Sequence, residues 1–167
     1  FVADFDPKGK SLITTENSAD ILEGEVEIYE LPTEPFGGLE QLCWSPDGRF
    51  IAYSCRKLAG KKYAFSTNTE IYIYNVLTRE TSVIDMKGGY DTDPVWSPDG
   101  SRICWISMER DGYEADKQRL MVAYVDWSEV AEDGAGMPKV WGITDATEHF
   151  RYNVSSPVWS DDSQKIY

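Results

Sequence analysis

His149 is the only histidine among the 167 residues, and no nucleophile elbow of the form G-x-S-x-G, no H-E-x-x-H helix and no phosphate-binding loop accompanies it. A serine hydrolase needs a nucleophile on a strained strand-to-helix turn and a histidine to take its proton. The chain offers neither pairing, so no residue is assigned a catalytic role. His149, followed by Phe150 and Arg151 in a polar stretch, reads as a solvated or hydrogen-bonded loop residue. The three cysteines, Cys43, Cys55 and Cys104, are odd in number and lack C-x-x-C spacing, which indicates neither a disulfide framework nor a zinc site. They read as small apolar side chains packed in strands, with a regulatory thiol as the alternative. No metal and no cofactor is expected.

The polar groups that could bind something gather in two places. Glu109, Arg110, Asp111, Tyr113, Glu114 and Asp116 make a dense charged cluster. One reading is a solvated loop with local ion pairs, each worth about 0 to 1 kcal/mol; the other is an acidic rim that holds a cationic group such as a peptide's free α-amine. Asp91 and Asp93 precede an apolar run that should form an innermost strand, which would set them near the mouth of a central channel. Aspartates in such places commonly cap turns. A calcium site would want six to eight oxygens, and no matching loop is present.

These residues hang on a repeat. FDPKGKSLI at Phe5, WSPDGRFIAY at Trp44, WSPDGSRICW at Trp96 and WSDDSQKIY at Trp159 are copies of one phrase, spaced by 39, 52 and 63 residues. Each copy centres on a tight turn between apolar runs, which is how a β-propeller blade is written in sequence. Proline at Pro46 is held near a φ of about −65°, so it fits the first central position of a type I turn, with Gly48 following in the left-handed region. That register sets Trp44 opposite Phe50, Cys43 opposite Ile51 and Trp96 opposite Arg102. In the last copy Ser163 stands where glycine does elsewhere.

Two further strands follow each hairpin: 70–76 and 80–86 in one unit, 120–125 and 139–144 in the next. The first unit shows 11–15 and 25–31 only. The fold class is therefore all-β, with propeller blades of four antiparallel strands present as a partial propeller. The blades divide as 1–38 (partial), 39–88, 89–152 and 153–167 (the start of a further blade), all within one propeller domain. Closed propellers take about four to eight blades, so the chain is expected to be an excerpt of a longer protein.

Net charge is −13 with a pI near 4.4, which excludes the basic surface that nucleic-acid binding requires. No apolar run of 18 residues exists, so no membrane span is expected. The hairpin turns are minimal, whereas the loops 57–69 and 108–119 and the blade entries 88–93 and 148–156 are long. By strand parity these lie on the opposite face, where docking or binding is expected.

The unit PVWSPDGSRICWIS, preceded by GGYDTD and followed by SMERDGYEADKQRL, resembles the propeller of the prolyl oligopeptidase family of serine peptidases, in its acylaminoacyl-peptidase and dipeptidyl-peptidase-five-like branch. The resemblance runs from ADFDPKGKSL to PVWSDDSQKIY. It implies a propeller that covers a C-terminal α/β-hydrolase domain of the same polypeptide, admits short peptides and helps bind their amino ends. The family's triad belongs to the hydrolase domain, so none of it falls on this chain. A periplasmic or otherwise extracytoplasmic setting is expected, a cytoplasmic one being the alternative. The rival class is a TolB-like propeller that docks proteins and carries no enzyme.

Overall fold

β-Branched and aromatic residues alternate along each strand segment, and that alternation decides which side of each sheet is buried. The computed structural model describes residues 1–8, 13–33, 37–84 and 86–167. β1 (Val2–Phe5) pairs antiparallel with β2 (Ile13–Ala19). β3 (Leu42–Trp44), β4 (Phe50–Cys55), β5 (Glu70–Asn75) and β6 (Thr81–Ile84) form one antiparallel meander. β7 (Tyr90–Trp96), β8 (Arg102–Met108), β9 (Arg119–Asp126) and β10 (Lys139–Asp145) form a second. Each is the four-stranded blade that the repeat implies, and the sheets do not close on themselves. The turn of the first copy lies partly outside the described residues. The run 25–31, expected as a strand, is irregular: Gly24 takes a φ of +86°, and the segment lays Ile21, Tyr29 and Leu31 on the outer face of the first meander.

β4 shows how the period-two pattern is spent. Phe50 and Ala52 face the second sheet, joining Ile71, Ile73, Trp96, Ile103 and Trp105 in one core. Ile51, Tyr53 and Cys55 point the other way, into the cluster covered by residues 20–33. Because both faces are covered, all six residues of β4 are buried.

The turn is of the expected type, but the pairing is one residue off. Trp44 lies opposite Ile51 rather than Phe50, Cys43 opposite Ala52, and Trp96 opposite Ile103 rather than Arg102. The cause is a side-chain network. The Ser45 hydroxyl donates to Asp47 Oδ1 at 2.6 Å and accepts from the Phe50 N–H at 2.9 Å, while Asp47 Oδ1 also accepts the Arg49 N–H at 3.1 Å. The carboxylate thus takes the Arg49 N–H that would otherwise close a shorter loop, and pairing resumes one residue later. Ser97 and Asp99 repeat the network at 2.6 Å, as do Ser160 and Asp162. The Ser97 hydroxyl and the Ser101 N–H together hold the Asp99 carboxyl down to about 2.

The anchor tryptophans stitch successive repeats. The Trp96 indole N–H donates to Cys43 O at 3.3 Å, and Trp159 donates to Val95 O at 3.2 Å, each reaching the residue before the preceding anchor. The expectation that only the face opposite the turns is elaborated also needs correction. The connection 127–138 lies at the turn end: the Trp127 N–H donates to Gly100 O at 2.8 Å, and the Asn75 amide donates to Gly134 O and Gly136 O at 2.8 Å each.

Gly100 and Ser163 occupy the same turn position at φ +69° and +59°. A Cβ on Gly100 would meet the Trp127 ring at 3.8 Å, an ordinary contact, so Gly100→Ala is expected to cost about 1 kcal/mol of backbone strain alone. Ser163→Gly relieves that strain but removes the oxygen that accepts the Asp99 N–H at 3.1 Å, so its net effect should be close to zero. Urea denaturation of the two variants checks this. A neutral Gly100→Ala would mean that the turn is not what fixes this position.

Candidate functional site

Two loops of neighbouring sheets meet at the end opposite the turns. The loop from β4 to β5 turns at Gly60 (φ +58°) into a one-turn helix, α1 (Lys61–Phe65), and returns through Ser66, Thr67 and Asn68. The loop from β8 to β9 carries the charged cluster. Asp111 bolts the two together: its carboxylate accepts from the Ser66 hydroxyl at 2.8 Å, the Thr67 N–H at 2.7 Å and the Asn68 N–H at 3.1 Å. Thr67 returns the link by accepting the Gly112 N–H at 2.9 Å. Burial tends to raise the Asp111 pKa, but these donors outweigh it and leave the carboxyl below its ordinary value.

The rest of the cluster is also engaged, with one exception. Arg110 grips Asp116 through two nitrogens, at 3.1 and 2.8 Å, and lies over the Tyr113 ring at 4.1 Å. The Arg110 contact holds the Asp116 carboxyl at about 2. Glu109 pairs with Arg119 at 3.5 Å. Glu114 makes no hydrogen bond or ion pair among the described residues, and it lines a cavity of about 650 Å³. Arg56, Tyr63, Phe65, Tyr90 and Met108 form the other walls. A cavity of that size, largely apolar with a few polar groups converging, is the usual form of a small-ligand site.

Asp91 and Asp93 lie inside β7 rather than before it. Asp91 sits in the seam between the two meanders: its N–H donates to the Thr69 hydroxyl at 2.9 Å, and its carbonyl accepts from the Ser54 and Thr69 hydroxyls at 2.6 and 2.7 Å. The carboxyl is wholly buried and accepts the Trp105 indole N–H at 3.0 Å. Burial pushes its pKa up to about 7, with the Ser107 hydroxyl and Trp105 indole pulling the other way. Asp93 is half-buried, takes a φ of +54° at the bulge in β7 and accepts from the Thr92 hydroxyl at 2.9 Å. The two carboxylates are thus not brought together with the 109–116 loop into one cluster.

His149 is exposed in the connection after β10. The three cysteines are unbridged, and burial lifts the thiols of Cys55 and Cys104 to about 11 and about 12. Both therefore stay protonated and unreactive at neutral pH. Among the described residues no group of three or more His, Cys, Asp or Glu side chains is gathered as metal ligands would be, and no helix is long and apolar enough to cross a membrane. The sequence did not single out Arg56, Tyr63 or Thr33. Each is an ordinary residue type, Arg56 and Tyr63 from the loop between β4 and β5 and Thr33 from the segment before β3, and only folding places all three on one cavity.

Comparison with known proteins finds several dipeptidyl-peptidase 5 relatives. The chain is 45% identical over 157 residues to dipeptidyl-peptidase 5 of Porphyromonas gingivalis, a match covering 93% of this chain and 20% of the relative. It is 45% identical over 104 residues to dipeptidyl-peptidase 5 of Porphyromonas endodontalis and 32% identical over 110 residues to that of Schizosaccharomyces pombe, covering 15% of each. The chain thus spans a fifth or less of the length of these relatives. No family model matches it.

Proposed function

We propose that this chain is a non-catalytic propeller portion of a dipeptidyl-peptidase-type serine exopeptidase, and that it selects short peptides for a hydrolase domain elsewhere in the same polypeptide. The observation that carries this reading is the match to dipeptidyl-peptidase 5 along 93% of the chain, on a fold of repeated four-stranded sheets without a nucleophile and base pair. A selecting role needs a group that meets the substrate. Of the six residues of the charged cluster, Arg110 pairs with Asp116 and lies over the Tyr113 ring, Asp111 ties the loop down and Glu109 is paired. That leaves Glu114, an exposed carboxylate that is unpaired among the described residues and lines the cavity, to meet a peptide's α-ammonium.

The test is the affinity of the 167-residue chain for Ala-Ala and for acetyl-Ala-Ala, measured by titration calorimetry. Glu114→Gln is expected to weaken Ala-Ala binding by about 1 to 3 kcal/mol, the value of a hydrogen bond to a charged group, while leaving the acetylated peptide unchanged. Glu109→Gln should change neither, because Arg119 already takes its charge. If Glu114→Gln affects both peptides alike, or neither, the loop is a solvated connection and the selecting role fails.

A further inference from the structure

Arg56 is an anomaly in so acidic a chain. Arg49, Arg79, Arg110 and Arg119 each pair with a carboxylate; of the three arginines that do not, Arg102 donates to Ser163 O and lies over the Trp159 ring and Arg151 is exposed, whereas Arg56 is half-buried with neither an acidic nor a carbonyl partner among the described residues. Its guanidinium lies over the Tyr63 ring, 4.8 Å from the centroid, and the Tyr63 hydroxyl donates to Glu30 Oε2 at 2.6 Å, which fixes the ring beneath it. Arg56 Nε is fully buried and has no acceptor among the described residues. A second orphan lines the same cavity. Thr33 is 5% exposed, its N–H is taken by Gln41 Oε1 at 2.8 Å, and its hydroxyl Oγ1 is buried without a partner.

Buried donors left unmade cost free energy. Two of them on residues that line one cavity, one belonging to a guanidinium held over an aromatic ring, suit a socket for an oxygen anion. The planar fork of an arginine matches the two oxygens of a carboxylate, and a hydroxyl on the same cavity lining offers a further donor. We propose that Arg56 and Thr33 form a carboxylate-binding subsite in the cavity that Glu114 lines, so that the cavity takes a short zwitterionic peptide by both ends. The proposal rests on the reading that peptides enter this cavity, and it adds the acidic pole of the ligand and the residues that hold it.

A peptide offers a carboxylate either at its C-terminus or on an acidic side chain, so the experiment compares Ala-Ala, Ala-Ala-amide and Ala-Glu-amide. The 167-residue chain is titrated with each by calorimetry. Arg56→Gln and the near-isosteric Thr33→Val are expected to weaken Ala-Ala binding by about tenfold and about fivefold, with Ala-Ala-amide bound equally weakly by all three proteins. Recovery of the lost affinity by Ala-Glu-amide, sensitive to Arg56→Gln, would assign the carboxylate to a side chain and support the same subsite. Equal binding of Ala-Ala and its amide by the unaltered chain would overturn the proposal. So would Ala-Ala binding that neither variant reduces. Thr33→Val guards against Arg56→Gln acting through the Tyr63 stack, since it removes only a hydroxyl. Failure here is separable from failure of the selecting role: the amide arm reads the carboxylate pole, and the acetyl arm with Glu114→Gln reads the amine pole.

Discussion

Asp91→Asn should stabilise the fold by up to about 4 kcal/mol at pH 8 and by almost nothing at pH 3.5, because a carboxyl moved from 3.8 to about 7 stores that difference. The sign follows from the raised pKa. Below pH 3.8 the group is protonated in both folded and unfolded chains and costs nothing. Between 3.8 and 7 the unfolded chain ionises while the folded chain must keep the proton, so stability falls as pH rises. Above 7 the full cost of the buried charge is present. Asn keeps an oxygen for the Trp105 N–H at the seam and has no charge to desolvate. Urea denaturation of the two proteins across this pH range measures the difference. A variant destabilised equally at both ends of the range would mean that the carboxylate is held ionised by partners stronger than Trp105 and Ser107.

Trp105→Ala should be the most damaging single change, costing about 3 to 5 kcal/mol, the range for deleting a buried tryptophan. Trp105 is wholly buried and sits in the core that joins the two meanders, and its indole N–H is the donor that Asp91 Oδ1 accepts. Removing it opens a cavity and strips a buried carboxyl of a partner. The two losses are coupled through Asp91. The same substitution made on Asp91→Asn should cost less at pH 8 than it does in the unaltered chain, since no charge is left exposed to the cavity. Urea midpoints of the four proteins of this cycle give the coupling. A cost below about 1 kcal/mol in both backgrounds would show that the two sheets do not depend on this contact for their stability.

The repeat phrase made the blades legible, because a tight turn between alternating apolar runs has few other meanings. Its register was not legible. The offset by one residue depends on the Asp47 carboxylate capturing the Arg49 N–H and the Ser45 hydroxyl standing in for a backbone acceptor, and the sequence Ser-Pro-Asp-Gly is compatible with either pairing. The charged loop was visible as a loop with charge, and the local ion pairs that one of its readings expects are present. Arg110 and Asp116 are the local pair of the bland reading. The fate of Asp111 was out of reach, since its partners Ser66, Thr67 and Asn68 stand 43 to 45 residues away. Asp91 was noticed for its neighbour Asp93, yet its burial against Trp105 follows from how two sheets pack and not from the spacing of two carboxylates. The cavity itself was invisible, because Thr33, Arg56, Tyr90 and Glu114 come together from four segments.

The most direct test of the account is a proton NMR time course of Ala-Ala-Ala mixed with the 167-residue chain, read both for saturation transfer from protein to peptide and for cleavage. The account predicts saturation transfer to the peptide with no release of alanine or Ala-Ala over hours, since the proposed role is to hold short peptides and no nucleophile and base pair is assigned to cut them. Appearance of the cleavage products would contradict the non-catalytic assignment. Absence of any saturation transfer would contradict the claim that this part of the molecule meets the substrate.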